Sequence, residues 1–202
     1  MIRSLVKSLS IKPPQELAFL WEQLPLVHNE NAKDYNNLLS AIVLASKPLD
    51  SIDWLYLKSV VDLVWETRRE QMVKAGIVKL MQREVVLELL KATHDEQGSL
   101  ESHRYRIFDA EAEANRWASY PEARADINLR LANKGYSVQD IMAKAYIKGQ
   151  HQIEAVDRRI AALEARKMTI LREIERRNDK LAQRLEKSSA DIVDAEFSEA
   201  AE

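Results

Sequence analysis

At 202 residues and 46% hydrophobic content the chain is long enough for one to two domains with a real core. Its formal charge of −2 excludes the global basic excess of a dedicated nucleic-acid binder, so any such contact has to be local. Four glycines, five prolines and 31% charged residues fit long helices rather than sandwiches, barrels or glycine-turned α/β folds, and the absence of cysteine removes disulfides, thiolate metal sites and a catalytic thiol.

In chain order, the first twelve residues carry Arg3, Lys7 and Lys12 with Ile2, Leu5, Val6 and Leu9 at helical spacing. They read as a short amphipathic helix docking on the body, since no small-residue cleavage site follows to make them a secretory signal. Pro13 and Pro14 break that segment. Pro14 then opens a helix through Leu17 and Leu20 to about Gln23, which Pro25 stops. Asp34 to Ser46 forms the next helix, ended by Lys47 and Pro48. Asp50 or Ser51 caps a third, long helix to about Thr93. Its first half, from Trp54 to Trp65, is apolar almost all round and so belongs at the centre of a domain. Its second half keeps a stripe through Met72, Ile77, Leu80, Met81, Val85, Val86 and Leu89. Gly76 within it costs about 1 kcal/mol relative to alanine and predicts a close helix crossing or a bend.

Gly98 and Ser99 stop and restart the chain before a helix containing Tyr105, Ile107, Phe108 and Trp117. Ser119 with Glu122 around Pro121 spells a capping box, and Ser137 with Asp140 resembles the same pattern. Between them Ile127, Leu129 and Leu131 mark a helix that Gly135 closes. From Gln150 to Lys187 neither proline nor glycine occurs, and the apolar residues fall on a heptad grid: Ile153, Val156, Ile160, Leu163, Ile170, Ile174 and Leu181. Lys167, Arg177 and Arg184 fill the remaining seam positions, which predicts a choosy or modest interface. Such a helix needs a partner helix, and a homodimer is expected. Ser188 and Ser189 are predicted to end it, leaving an acidic, disordered tail in which Ile192, Val193 and Phe197 form an apolar binding motif. The expected organisation is all-α: a helical body over 1–135, a capped helix continuing into the coiled coil over 136–187, and an acidic tail over 188–202.

Chemistry-bearing patterns are few. The glycines are isolated, so there is no phosphate loop or dinucleotide fingerprint, and no Gly-x-Ser-x-Gly occurs. His28, His94, His103 and His151 are scattered without the spacing that puts metal ligands on one helical face. No catalytic residue, cofactor or metal is expected. The longest uncharged stretch, residues 35–46, falls short of the roughly 20 apolar residues that span a bilayer, so no membrane span is expected, and the absence of cysteine fits the reducing cytoplasm in which the protein is expected. Residues 129–149 have the spacing of a helix-turn-helix reader, with Gly135 at the turn and Ile141 six positions on. DNA contacts would fall to Gln139, Lys144, Lys148, Arg158 and Arg159.

Two stretches, Val60-Val61-Asp62-Leu63-Val64-Trp65-Glu66-Thr67-Arg68-Arg69 and the run from Asp157-Arg158-Arg159-Ile160 through Leu171-Arg172-Glu173-Ile174-Glu175-Arg176-Arg177 to Val193-Asp194-Ala195-Glu196-Phe197, resemble a family of uncharacterised bacterial helical proteins. Members are often encoded among mobile elements. The resemblance implies a helical fold and no activity or site residue. Residues 191–197 are also similar to the acidic C-terminal tail of the bacterial seventy-kilodalton heat-shock chaperone. The expected function is a non-enzymatic interaction or scaffold protein associating through its C-terminal coiled coil and docking a protein partner by its tail. The alternative is a DNA-associated accessory or regulatory factor of a mobile element.

Overall fold

The structure, a computed structural model, describes residues 13–95 and 100–199, with side chains described at 13–93, 109–180 and 183. The expectations for residues 1–12 and 96–99, and for the side chains of Tyr105, Ile107, Phe108, Leu181, Ile192, Val193 and Phe197, lie outside these residues. Among those described the chain is all-α: a short 3-10 helix (Gln15–Trp21), then α1 (Ala32–Ser46), α2 (Ser51–Asp95), α3 (Leu100–Ser119), α4 (Pro121–Asn133) and α5 (Val138–Glu199).

Local chemistry sets most boundaries. The side chain of Asn31 caps α1 by accepting from the Lys33 amide, and Lys47 ends it in the left-handed conformation. Asp50 caps α2, its Oδ1 accepting from the amides of Ile52 and Asp53. One expected cap is not made. Ser119 is the last residue of α3, and Tyr120 becomes the N-cap of α4 with no side-chain bond. The reason is Pro121, whose ring pushes the preceding residue out of the helical region to extended φ −120°, ψ 122°. The loose carbonyls at the end of α3 go instead to Arg124, which donates to Trp117 O and Ala118 O. At the other end, α5 runs on through Ser188 and Ser189 to Glu199, beyond the predicted stop. Serine costs only a few tenths of a kcal/mol in a helix and no proline follows it.

The chain divides into two compact units, and the division differs from the predicted succession of body, coil and tail. One unit is built from the chain up to Arg68 and from Ala161 onward, the other is Arg69–Ile160. Helices of 45 and 62 residues, α2 and α5, are longer than one core can cover, so each contributes to both.

The first unit buries Trp21, Tyr35, Leu39, Val43, Trp54, Leu57, Val61 and Trp65 together. Aromatic edges organise it: Trp21 meets Trp54 at 5.7 Å and 89°, and Tyr35 meets Trp65 at 5.4 Å and 74°. Tyr35 is fully buried, and its hydroxyl donates to Asp62 at 2.5 Å while Lys58 donates to the same carboxylate. Burial, then the Asp62 carboxylate, push the Tyr35 hydroxyl far above its ordinary pKa. The seam residues Leu163, Ile170 and Ile174 are half-buried here. Of the seam bases, Lys167 pairs with Glu164, and Arg177 reaches Asp50 at 2.6 Å and Asp53 at 3.2 Å.

The second unit closes over Val85, Val86, Leu89 and Leu90 of α2, Ala110, Ala114 and Trp117 of α3, Ile127 and Leu131 of α4, and Ile141 and Ala145 of α5. Within it α2 and α5 are antiparallel neighbours. Glu84 and Glu88 hold Lys148, Lys74 holds Asp157, and Glu70 holds Arg159, one number falling as the other rises. Gly149 lies where α5 meets Ile77 and Met81 of α2. Ile153 and Val156, the first two seam residues, are 6% and 1% exposed inside this unit, and Ile160 is half-buried. Their shelter comes from the chain itself, so these two positions do not call for a second copy.

Candidate interaction surface

The hairpin of α4 and α5 in the second unit carries the one spacing in the sequence that matches a recognition motif, and its geometry is well specified. Gly135 adopts φ 89°, a conformation that a side chain would strain. Around it the amide of Tyr136 bonds to Leu131 O at 3.0 Å and that of Gly135 to Ala132 O at 2.9 Å, the paired closure of a Schellman motif. Tyr136 packs on the core as the apolar residue that accompanies such an end. The capping box at the start of α5 forms as the sequence predicts. The Asp140 amide donates to Ser137 Oγ at 3.1 Å, while the Ser137 amide and hydroxyl both donate to Asp140 Oδ2. Those two donors, the hydroxyl first, hold the Asp140 carboxyl below the usual carboxylate range. Ile141 locks against Ile127 and Leu131 in the core, and Leu131 is accommodated there as a buried residue.

One sector of the first turns of α5 is exposed and uncharged, with Asp140 and Lys144 exposed at its border. Only Ile141, Ala145 and Gly149 of the first turns of α5 are buried. Val138, Met142, Tyr146 and Ile147 are exposed, Ile147 at 73%, and Gln139, Ala143 and Gln150 lie exposed among them. Leu129 of α4 is exposed as well. Sequence periodicity alone places Val138, Met142 and Tyr146 on the helix but does not say which apolar residues face in.

The five residues expected to touch DNA are not gathered on this face as free groups. Gln139 is exposed on it. Lys144 lies 5.0 Å from the centre of the Tyr136 ring. Lys148 is turned to α2, where the Glu88 carboxylate and then Glu84 raise its pKa. Arg159 donates from two nitrogens to both oxygens of Glu70, which raises its pKa likewise. Arg158 is exposed, about four turns of helix beyond Lys144.

Elsewhere, a hollow of about 290 Å³ in the first unit is lined by Leu49, Asp50, Asp53, Arg176, Arg177 and Lys180, its charges largely spent on one another. In the second unit a hollow of about 350 Å³ lies along Glu113, Arg116, Glu122, Asp126 and Arg130, with Arg130 bridging Glu113 and Asp126. Among the described residues no three His, Asp or Glu side chains gather as a metal site, and no helix is long and apolar enough to cross a membrane. No protein-family model matches the chain, and neither a curated protein nor a solved structure matches it.

Proposed function

We propose that this is a non-enzymatic interaction protein that binds another protein chain through the outward face of the first turns of α5. The observation that carries the reading is the composition of one sector of that helix: Met142, Tyr146 and Ile147 exposed with Gln139, Ala143 and Gln150 among them, bordered on one side by the exposed charges of Asp140 and Lys144. Tyrosine and methionine are residue types enriched at protein interfaces. DNA affinity, by contrast, is dominated by cations released onto phosphate. Here Lys148 and Arg159 already have carboxylate partners.

The test is a photo-reactive amino acid placed at Ala143 in the intact protein and activated in living cells. Adducts should resist nuclease, disappear with protease and be lost when Tyr146→Glu is added. Adducts that nuclease removes would establish DNA as the ligand and end the proposal.

A further inference from the structure

A second surface, on α2, carries a more specific assignment. Gly76 lies in the interior of a 45-residue helix, and a Cβ built on it would meet nothing within 4 Å. The close crossing that a mid-helix glycine predicts is therefore not supplied by any described part of this chain. Its surroundings are not those of a solvated face either. Met72 is 56% exposed, Val73 43% and Leu80 51%. At about 100° per residue these three, with Lys79 and Arg83, fall within about 60° of Gly76, while Ile77 and Met81, about 100° and 140° round the helix, face Gly149 of α5. The result is a strip with a bare backbone at its centre, four-residue steps to Met72 on one side and Leu80 on the other, and bases at its edge. Lys79 makes no ion pair among the described residues, and Arg83 donates to a neutral partner, Asn115 Oδ1, at 2.7 Å. The nearby acid Glu70 is occupied by Arg159.

We infer that this strip is the docking site for an acidic amphipathic helix of a partner protein, crossing α2 at Gly76. The absent side chain lets two helix backbones approach closely, Met72, Val73 and Leu80 bury the partner's apolar ridge, and Lys79 and Arg83 meet its carboxylates. Charge decides against the rival occupants. A second copy would bring the same bases to the same face with no acid to answer them. Two bases provide little of the counterion release that nucleic acid needs. A bilayer would use the apolar and basic residues but has no use for a glycine cleft. This surface is separate from the α5 face and stands or falls without it.

The experiment uses the full-length protein and two fluorescent, hydrocarbon-stapled helical peptides, identical in a leucine and alanine face and flanked by glutamate in one and lysine in the other. Fluorescence anisotropy should show the glutamate peptide binding about tenfold or more tighter than the lysine peptide, and binding that weakens with salt. Gly76→Leu should weaken it about tenfold or more while the melting temperature stays level or rises, because leucine is the better helix former and the space is open. Lys79→Glu with Arg83→Glu should reverse the preference between the peptides. Failure of the glutamate peptide to bind, equal binding of both, or undiminished binding to the Gly76→Leu variant would overturn the inference. So would self-association that Gly76→Leu dissolves, which would seat a second copy there, or binding to anionic vesicles or duplex DNA that Lys79→Glu with Arg83→Glu abolishes and Gly76→Leu leaves intact, which would seat a lipid surface or nucleic acid on these bases.

Discussion

Tyr35 is the buried residue whose removal has the most readable consequence. Its ring packs edge-on to Trp65 and its hydroxyl donates to a carboxylate that Lys58 also holds. Tyr35→Phe keeps the ring and deletes one hydrogen bond to a charged group, which predicts a loss of about 1.5 kcal/mol in chemical denaturation. Asp62→Ala should cost more, about 3 kcal/mol, because it strands the buried hydroxyl and the Lys58 ammonium together. If the two variants were equally stable, the carboxylate would not be organising the cluster. Two glycines make an opposed pair at the same scale. At Gly76 alanine meets nothing and should stabilise by about 1 kcal/mol. At Gly149 the new Cβ would stand 2.9 Å from Met81 Cγ and 3.4 Å from Ile153 Cδ1, so the helix-propensity gain is opposed by a forced shift of a well-packed side chain. Gly149→Ala should therefore melt below Gly76→Ala, a ranking that differential scanning calorimetry reads directly.

Among the elements, the start of α5 depends on a cap of two residues. Ser137→Ala removes the acceptor of the Asp140 amide and should cost about 1 kcal/mol. The Asp140 carboxyl, held down by the Ser137 hydroxyl and amide, and that of Asp50, held down first by the Asp53 amide and then by Arg177, both titrate below their unfolded values. A depressed carboxyl contributes stability that is complete above the unfolded pKa of about 3.9 and is lost as pH falls through the folded value. The melting temperature should accordingly decline on acidification below about pH 4, and Ser137→Ala should flatten the part of that decline due to Asp140. This cap was legible in the sequence because both partners lie three residues apart on one chain segment. The Ser119 cap was not, since the conformation forced by Pro121 passes the N-cap to Tyr120. The Ile153 to Leu181 heptad announced a helix in need of cover, but pairing partners are a tertiary fact. Nothing local to Lys148 or Arg159 says that Glu84, Glu88 and Glu70 lie opposite, and so two residues that read as free cations turn out to be engaged. For the same reason the stripe from Met72 to Leu89 looked uniformly inward, whereas Met72 and Leu80 face out.

At the scale of the molecule, one of the two units is a single uninterrupted stretch of chain and the other is not. Arg69–Ile160 contains every residue of the cluster from Val85 to Ala145, both caps of the α4–α5 hairpin and the antiparallel ion pairs of α2 with α5. The other unit draws its residues from both ends of the sequence and loses one contributor to any truncation. The fragment 69–160 should thus fold alone. Its core needs no residue from outside, and a chain of its length can bury enough apolar surface for a cooperative transition. Expressed by itself, it should show a helical circular dichroism spectrum and a single melting transition that Ile141→Ala lowers sharply, by about 3 kcal/mol, since that side chain is 1% exposed at the centre of the cluster. Removing residues 161–202 from the full chain should leave this transition nearly unchanged. It should also abolish a second, separate one, because Leu163, Ile170, Ile174 and the Arg177 bridge to Asp50 and Asp53 go with them. A fragment 69–160 that is unfolded in buffer, or a truncated chain that still melts in two steps, would show that the two units are one cooperative body.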